Sequence, residues 1–174
     1  MRGRRLTALL ALALLATLAS GAGCGYRMES RGLPEGAASL GIGTIRNRTF
    51  TGELDVRLKH ELRRKLLRNP AFALVSPERS QLVLEVDLLR AEIVRSLDVS
   101  NTSISSLVLV LEGRINLRKA RGGRPVIRNA GVTVSTRLDF DRSVIESAAV
   151  RDEIEHDAVV AFAAKVEQLL YEHF

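Results

Sequence analysis

The stretch QLVLEVDLLRAEIVRSL at residues 81–97 decides the fold, because its apolar residues alternate like those of a half-buried strand. Its first half places four apolar side chains on one face, at Leu82, Leu84, Val86 and Leu88. Its second half shifts the apolar positions by one residue, to Leu89, Ala91, Ile93 and Leu97. A one-residue slip moves every following side chain to the other face, so we predict a β-bulge near Leu88 and Leu89 that bends this strand.

Two further strands follow along the chain. The first has one apolar face, formed by Leu107, Leu109, Leu111, Ile115 and Leu117. The second turns its apolar side inward at Val126, Ala130, Val132, Val134, Leu138 and Phe140. Polar turns are predicted from Ser96 to Ser106 and from Arg121 to Pro125, so the three strands form an antiparallel meander.

The residues around the meander supply two short strands and two helices. Residues 40–45 and 72–75 predict short strands. Between them, residues 52–68 repeat leucine every four positions, which predicts an amphipathic helix ended by Asn69-Pro70. A capping box, Ser143-x-x-Glu146, opens a second helix. Its apolar stripe consists of Ile154, Ala158, Ala161, Phe162, Val166, Leu169 and Leu170.

Together these elements predict an α+β fold, a two-layer sandwich with a mixed, mainly antiparallel sheet of four to five strands and two helices packed on one face. The other face of the sheet is polar and carries Glu85, Asp87, Glu112, Arg114, Asn116, Thr133, Ser135 and Arg137. This face must meet water or a polar, wet partner surface.

The N-terminal residues have the composition of an export signal. The basic segment Met1–Arg5 precedes an uncharged apolar run, Leu6–Ala19, which is too short to span a membrane. Small residues then lead to Cys24, an arrangement that resembles a bacterial lipobox. We therefore expect residues 1–23 to be removed as a signal peptide and Cys24 to be acylated.

Acylation of Cys24 would anchor the mature chain to a membrane, since several acyl chains on one residue give durable attachment. The outer membrane is the expected location, because Gly25 stands where an aspartate favours retention in the inner membrane. We expect a lipidated tether at residues 24–38 and a single domain at 39–174. An ordinary cleaved signal that leaves Cys24 unmodified is the alternative.

The composition excludes two classes of protein. The 26 basic and 20 acidic residues give a formal charge of +6, but three arginines of that surplus lie in the predicted signal peptide. A mature charge of +3 (23 minus 20), with only 4% aromatic residues, argues against a nucleic-acid partner. The single cysteine excludes a disulfide framework.

No residue pattern indicates catalysis, a metal or a cofactor. The three histidines, His60, His156 and His173, lack the paired spacing of metal ligands, and no nucleophile or phosphate-loop motif is present. We therefore expect a protein that is not an enzyme. The hairpin tip at residues 118–124 concentrates the basic residues Arg118, Lys119, Arg121 and Arg124. Such a tip is suited to phosphate groups, although a solvated turn that protects the sheet edge is the alternative.

Three short motifs resemble the lipopolysaccharide-assembly lipoprotein family (LptE). They are Cys24-Gly25-Tyr26, a strand that ends in Ile45-Arg-Asn47-Arg-Thr49, and Gly52-Glu-Leu54 before an amphipathic helix. The element order fits the family across most of residues 24–174. The resemblance implies an outer-membrane lipoprotein on the periplasmic side that plugs an LptD-like β-barrel. It also implies that the lipoprotein helps the barrel to fold and contacts lipopolysaccharide during insertion into the outer leaflet.

The basic tip is then the candidate contact for the phosphates of lipopolysaccharide, on charge and position alone. A second interpretation remains open, in which the chain is a lipoprotein scaffold or pilot of another envelope complex and does not bind lipopolysaccharide.

Overall fold

A computed structural model of the chain describes residues 39–98, 103–122, 124–139 and 148–173. The predicted signal peptide, Cys24, the tether, Phe140 and the capping box at Ser143 lie outside the described residues. The described elements are β1 Leu40–Asn47, α1 Leu54–Arg68, β2 Leu82–Asp98, β3 Ser103–Lys119, β4 Ile127–Asp139 and α2 Ala148–Glu172.

The described strands form one sheet in the order β1-β2-β3-β4. The pairing of β1 with β2 is parallel, and the β2–β3 and β3–β4 pairings are antiparallel. The buried apolar residues of both helices belong to the same core as the inward side chains of the strands. The fold is therefore the predicted two-layer α+β sandwich, with a sheet of four strands.

The first helix forms where leucine recurs every four residues. All four predicted leucines are fully buried, at Leu54, Leu58, Leu62 and Leu66. The helix begins two residues later than predicted, because Glu53 adopts a left-handed backbone with φ 61°. It ends at Arg68, since Asn69 is extended before Pro70. The Asn69 side-chain amide donates a hydrogen bond to Glu167 Oε1 of α2 at 2.8 Å, which ties the two helices together.

The predicted bulge in β2 is confirmed. Leu88 pairs with Gly113 and Arg90 pairs with Glu112, so Leu89 is the extra residue. Helix α2 packs directly against this point, because a Cβ placed on Gly113 would lie 2.8 Å from Phe162 Cζ. The bend in the sheet and the missing side chain therefore make room for a fully buried aromatic ring.

One predicted strand and the length of one predicted turn were wrong. Residues 72–75 do not form a strand; they make one isolated parallel bridge, between Leu74 and Leu40. The predicted turn from Ser96 to Ser106 is too long, because β2 continues to Asp98 and β3 begins at Ser103. The serines were interpreted as turn residues, but paired backbones satisfy each other's hydrogen bonds whatever the polarity of the side chains.

The last strand differs from the prediction at its start. It begins at Ile127, which is buried, whereas Val126 is only partly buried. The pairing shifts between Ile115–Ala130 and Leu117–Ile127, so β4 has one more residue than β3 there. Asn129 lies in this bulge with φ 49°, and its backbone N–H donates to Asn116 Oδ1 at 2.8 Å.

Helix α2 buries most of the predicted stripe. Ile154, Ala158, Phe162, Val166 and Leu170 are buried, together with Val159 and Ala163. Leu169 packs against the core while partly exposed, and Ala161 is only partly buried. Because a helix turns 100° per residue, the stripe is wide enough to include neighbours that the sequence did not single out.

Candidate functional site

The sheet face opposite the helices, here termed the open face, is polar as predicted. The cross-strand register brings its predicted residues together, since Glu85 pairs with Asn116, Asp87 with Arg114 and Glu112 with Thr133. Ser135 and Arg137 continue the face along β4. These polar side chains share one face because every second side chain of a strand points to the same side of the sheet.

The charges of the open face are largely compensated by one another. Arg118 Nε donates to Glu85 Oε1 at 2.9 Å. Asp87 Oδ1 lies 3.4 Å from Arg46 Nη1 and 3.6 Å from Arg48 Nη2. These pairs are partly or largely exposed, so each contributes at most about 1 kcal/mol to stability. Their main effect is to present a surface with both charge signs and little net field.

Arg90 continues this pairing of opposite charges along β2, beyond the bulge at Leu89. Its guanidinium contacts Glu92 on the same strand, and Nη1 lies 3.5 Å from Glu112 Oε1 on β3. The hydrogen bond to Glu92, followed by the charges of Glu92 and Glu112, raises the Arg90 pKa. Arg90 was not singled out from the sequence, because the bulge at Leu89 places it on the open face.

Three valines interrupt the polarity of the open face. Val94 pairs with Val108, and Val110 pairs with Glu92, so the three lie next to each other beyond the bulge. Val94 is 49% exposed, while Val108 and Val110 are partly buried. This apolar patch could have been recognised in the sequence, since all three valines occupy outward positions of their strands.

The hairpin between β3 and β4 presents the predicted basic tip. Val126 N donates to Leu117 O at 2.7 Å, which closes the hairpin, and Gly122 takes the left-handed φ of 87° within the turn. Lys119, Arg121 and Arg124 are exposed and form no ion pair within the described ranges. Arg118 differs from them, because it is bound to Glu85 on the open face.

A cleft of about 870 Å³ lies between the edge strand β1 and helix α1. Its walls include Ile42 and Leu74, and basic side chains reach it from Lys59, Arg63 and Arg118. Lys59 and Arg63 lie on the exposed side of α1. The cleft could not be predicted from the sequence, because the connection from α1 to β2 brings distant residues to one place.

The loop after β1 holds an exposed aromatic residue. Asn47 Oδ1 accepts hydrogen bonds from Thr49 N at 3.0 Å and from Thr49 Oγ1 at 2.7 Å. Asn47 Nδ2 donates to Thr51 O at 2.7 Å, so this polar turn is held by its own side chains. Phe50 projects from this loop fully exposed.

Among the described residues, no cluster of three or more His, Cys, Asp or Glu is arranged to hold a metal ion. None of the described helices is long and apolar enough to cross a membrane.

Comparisons with solved structures give the same fold in other bacterial proteins. Protein CT253 from Chlamydia trachomatis matches with a TM-score of 0.53 and 8% identity, covering 79% of this chain and 97% of its own. A candidate lipoprotein from Caulobacter crescentus matches with a TM-score of 0.51 and 16% identity, covering 74% and 88%. Protein XCC0632 from Xanthomonas campestris matches with a TM-score of 0.51 and 14% identity, covering 77% and 83%.

Identities this low show a shared fold and not a shared function. Of these three proteins, the one from Caulobacter crescentus is described as a candidate lipoprotein, and its likeness to this chain is a likeness of fold. The chain matches no family model and no curated protein.

Proposed function

We propose that this chain is an outer-membrane lipoprotein that occupies the lumen of a large LptD-like β-barrel. In that position it supports the folding of the barrel and assists the transport of lipopolysaccharide to the outer leaflet, without catalytic turnover. Cys24 carries the acyl anchor. The basic tip at Lys119, Arg121 and Arg124 contacts lipopolysaccharide phosphates, with Arg118 at its base.

The open face is the observation that carries this proposal. It is a wide sheet surface left uncovered by the helices, and its ion pairs leave both charge signs exposed to solvent. The lumen of an outer-membrane barrel is polar and hydrated, whereas the core of a dry protein interface is depleted of charged residues. The open face therefore fits a wet lumen better than a dry interface.

The dimensions of the domain require a large barrel. Four strands about 4.8 Å apart span about 15–20 Å, and the helix layer adds roughly another 10 Å. Small eight-stranded barrels have interiors that are filled by their own side chains, while barrels of more than about 20 strands hold a plug. A two-layer domain of this width therefore fits only the second kind.

The test of the barrel association is co-purification. An epitope-tagged chain, extracted from membranes in mild detergent, should recover a large outer-membrane β-barrel in near-equal amount. Depletion of the chain should lower the amount of folded barrel. Recovery with a soluble periplasmic complex instead would contradict the proposal and favour the scaffold interpretation.

The test of the ligand role is charge reversal at the tip. Arg121→Glu with Arg124→Glu should weaken binding of labelled lipopolysaccharide at least tenfold, because two guanidinium contacts are replaced by repulsion. Arg46→Glu with Arg48→Glu is the matched control, since it changes the net charge equally at the other end of the sheet. Unchanged binding in the tip variant would remove the ligand role while leaving the barrel association intact.

A further inference from the structure

The outer edge of β1 carries the beginning of a further strand that does not continue. β1 is the first strand of the described sheet, so only one of its edges is covered by β2. On the other edge, Leu40 N donates to Ala73 O at 3.0 Å, and Val75 N donates to Leu40 O at 3.0 Å. The chain then turns away, with a hydrogen bond from Arg79 N to Ser76 O at 3.0 Å. In the described part of the chain, this segment therefore bonds to a single residue of β1.

The backbone of β1 beyond Leu40 has hydrogen-bonding groups available at this edge. The N–H and C=O groups of alternate residues in a strand point to the same edge, so those of Ile42 face outward like those of Leu40. A continued ladder would next join Ile42 N to Val75 O, and no such bond is formed among the described residues. An open edge of this kind is a template for the addition of a strand.

The cleft of about 870 Å³ lies over this open edge, since its lining includes Ile42, Gly43 and Thr44 of β1. Gly43 has no side chain to cover the backbone, and a Cβ placed there would lie 2.6 Å from Val83 Cγ1. The volume of the cleft is within the range of about 300–1,000 Å³ that is typical of ligand sites. The open backbone therefore faces a space that can hold a few residues of an extended peptide.

Exposed apolar side chains line the same cleft. Leu67 of α1 is 59% exposed, and Val75 is 37% exposed. They are two of the five large apolar side chains that are exposed within the described ranges, and both belong to the lining. Leu74, which is partly buried, also lines the cleft. An occupant with an apolar side chain would remove this surface from water, which favours binding.

The cleft also has a surplus of positive charge. Lys59 and Arg63 are exposed, and neither forms an ion pair in the part of the chain that the structure describes. The Arg79 guanidinium donates to a serine hydroxyl at 3.2 Å and contacts no described carboxylate. The acids of the lining are Glu78 and Glu85, and Glu85 is already held in an ion pair. Three cations therefore face one available acid, which favours an anionic occupant.

The cations of α1 are spaced like alternate side chains of an extended chain. Lys59, Arg63 and Leu67 recur every four residues, which corresponds to about 6 Å along a helix. Side chains two residues apart in a strand are separated by about 6.7 Å. The whole stripe is about 12 Å long, which matches three to four extended residues. A strand with carboxylates at two alternate positions and an apolar side chain at the next can therefore contact all three residues.

We propose that the open edge of β1 binds a short, extended, acidic segment of a partner protein as an added strand. The backbone of the segment pairs with Ile42, its carboxylates contact Lys59 and Arg63, and an apolar side chain covers Leu67. In this mode of recognition the main-chain hydrogen bonds supply affinity, and the alternate side chains supply specificity. The site goes beyond the proposed function and does not depend on it, since the segment uses neither the basic tip nor an acyl anchor.

A second copy of the chain fits this edge less well. Pairing of two β1 edges about a twofold axis would bring Lys59 and Arg63 of both copies to one interface, where like charges repel. The register of β1 against β2 also shifts between Ile42 and Ile45, and irregular strands hinder the joining of two long edges. A short acidic peptide meets neither obstacle.

The test titrates the peptide VTETETV into the isotopically labelled chain, purified in non-ionic detergent and followed by nuclear magnetic resonance. The peptide reads the same in both directions, so it assumes no strand direction. We expect hydrogen exchange at the Ile42 amide to become about fivefold slower or more, because that amide gains a hydrogen bond. The peptide VTKTKTV, with lysine in place of glutamate, should not bind. Equal binding of the two peptides, or unchanged exchange at Ile42, would overturn the proposal.

Methylated peptides test the backbone pairing separately from charge. The N–H groups of alternate residues point to opposite edges of a strand, so methylation of the amide nitrogens of either the glutamates or the threonines blocks one edge only. One of these two peptides should lose affinity about tenfold or more, and the other should retain it, because only one edge pairs with β1. Equal affinities of the two methylated peptides would rule out strand addition.

Charge reversal on α1 tests the cleft itself. Lys59→Glu with Arg63→Glu should weaken binding of VTETETV about tenfold or more, because two charge-assisted contacts become repulsive. Both residues are exposed, so the fold should persist, and the dispersion of the amide signals checks this. Arg128→Glu with Lys165→Glu is the matched control, since it makes the same change of charge at two exposed residues outside the lining. Equal weakening in the two variants would contradict binding at the cleft.

Two other occupants would give different results. A dimer that dissociates in Lys59→Glu with Arg63→Glu, measured by analytical ultracentrifugation, would assign the edge to a second copy. Exchange at Ile42 that is slow without peptide and becomes fast on deletion of residues 25–38 would assign the edge to the chain's own N-terminal segment. Either result would overturn the proposal.

Discussion

Gly113 shows how closely the helix layer approaches the sheet. A Cβ at this position would lie 2.8 Å from Asp87 O on one side and 2.8 Å from Phe162 Cζ on the other. Both neighbours are constrained, since Asp87 O belongs to the paired strand β2 and Phe162 is fully buried. The absence of a side chain at Gly113 is therefore a packing requirement at the bulge.

Gly113→Ala should lower the free energy of unfolding by about 1–3 kcal/mol, because overpacking forces the ring or the strand to move. Gly131→Ala is the matched control on β4, where a Cβ would meet nothing within 4 Å. That control should be neutral or slightly stabilising, since alanine loses less backbone entropy than glycine on folding. Urea denaturation of both variants measures the difference, and equal effects would contradict the packing argument.

At the scale of elements, two of the register shifts in the meander, at Leu89 and at Asn129, differ in how visible they are in the sequence. The bulge at Leu89 shifts a long apolar pattern, so the slip could be recognised on both sides of it. The bulge at Asn129 lies two residues after Ile127, the first residue of β4, where too little pattern precedes it to define a phase. The backbone N–H of Asn129 is bonded to the side chain of Asn116 on β3. This partner could be found only once the pairing register of the two strands was known.

The positive φ of Asn129 makes this bulge testable. Asn129→Val should lower the free energy of unfolding by about 1–3 kcal/mol, because a β-branched side chain is strained at positive φ. Asn129→Gly should have little effect, since glycine adopts this backbone readily and the bond to Asn116 uses only the backbone N–H. Thermal unfolding of the two variants provides the comparison, and a glycine variant as unstable as the valine variant would contradict it.

The packing of α1 against α2 affects the ionisation of Glu155. Its pKa is raised, chiefly because burial disfavours the charged carboxylate, while Arg57 and Arg151 oppose the shift. A pKa that is higher in the folded state means that the folded protein binds this proton more tightly than the unfolded chain does. Ionisation of Glu155 therefore costs stability as the pH rises through the ordinary glutamate pKa, about 4.3, toward the raised value.

Glu155→Gln should consequently be more stable than the parent protein at pH 7, because the neutral amide avoids the cost of burying a charge. The gain should shrink as the pH falls toward about 4.3 and below, where Glu155 becomes protonated in both states. Urea midpoints of the two proteins across this pH range measure the effect. A gain that is constant with pH would show that ionisation of Glu155 is not its cause.

At the scale of the whole molecule, periodicity was sufficient to predict the element order and the two-layer fold. Alternation along β2 and β3 also predicted the polar residues of the open face, because that pattern is local. The ion pairs of Arg118 with Glu85 and of Arg46 with Asp87 depend on pairing between distant segments. These ion pairs were therefore not accessible from the residues alone.

The central claim is that the open face meets the inner wall of a β-barrel. The most direct measurement is site-specific photocrosslinking in living cells, with the photoreactive residue placed at Thr133, which is exposed on the open face. The account predicts a crosslinked product between this chain and an outer-membrane β-barrel, identified by mass spectrometry. A product formed only with a soluble periplasmic protein, or none at all, would contradict the account.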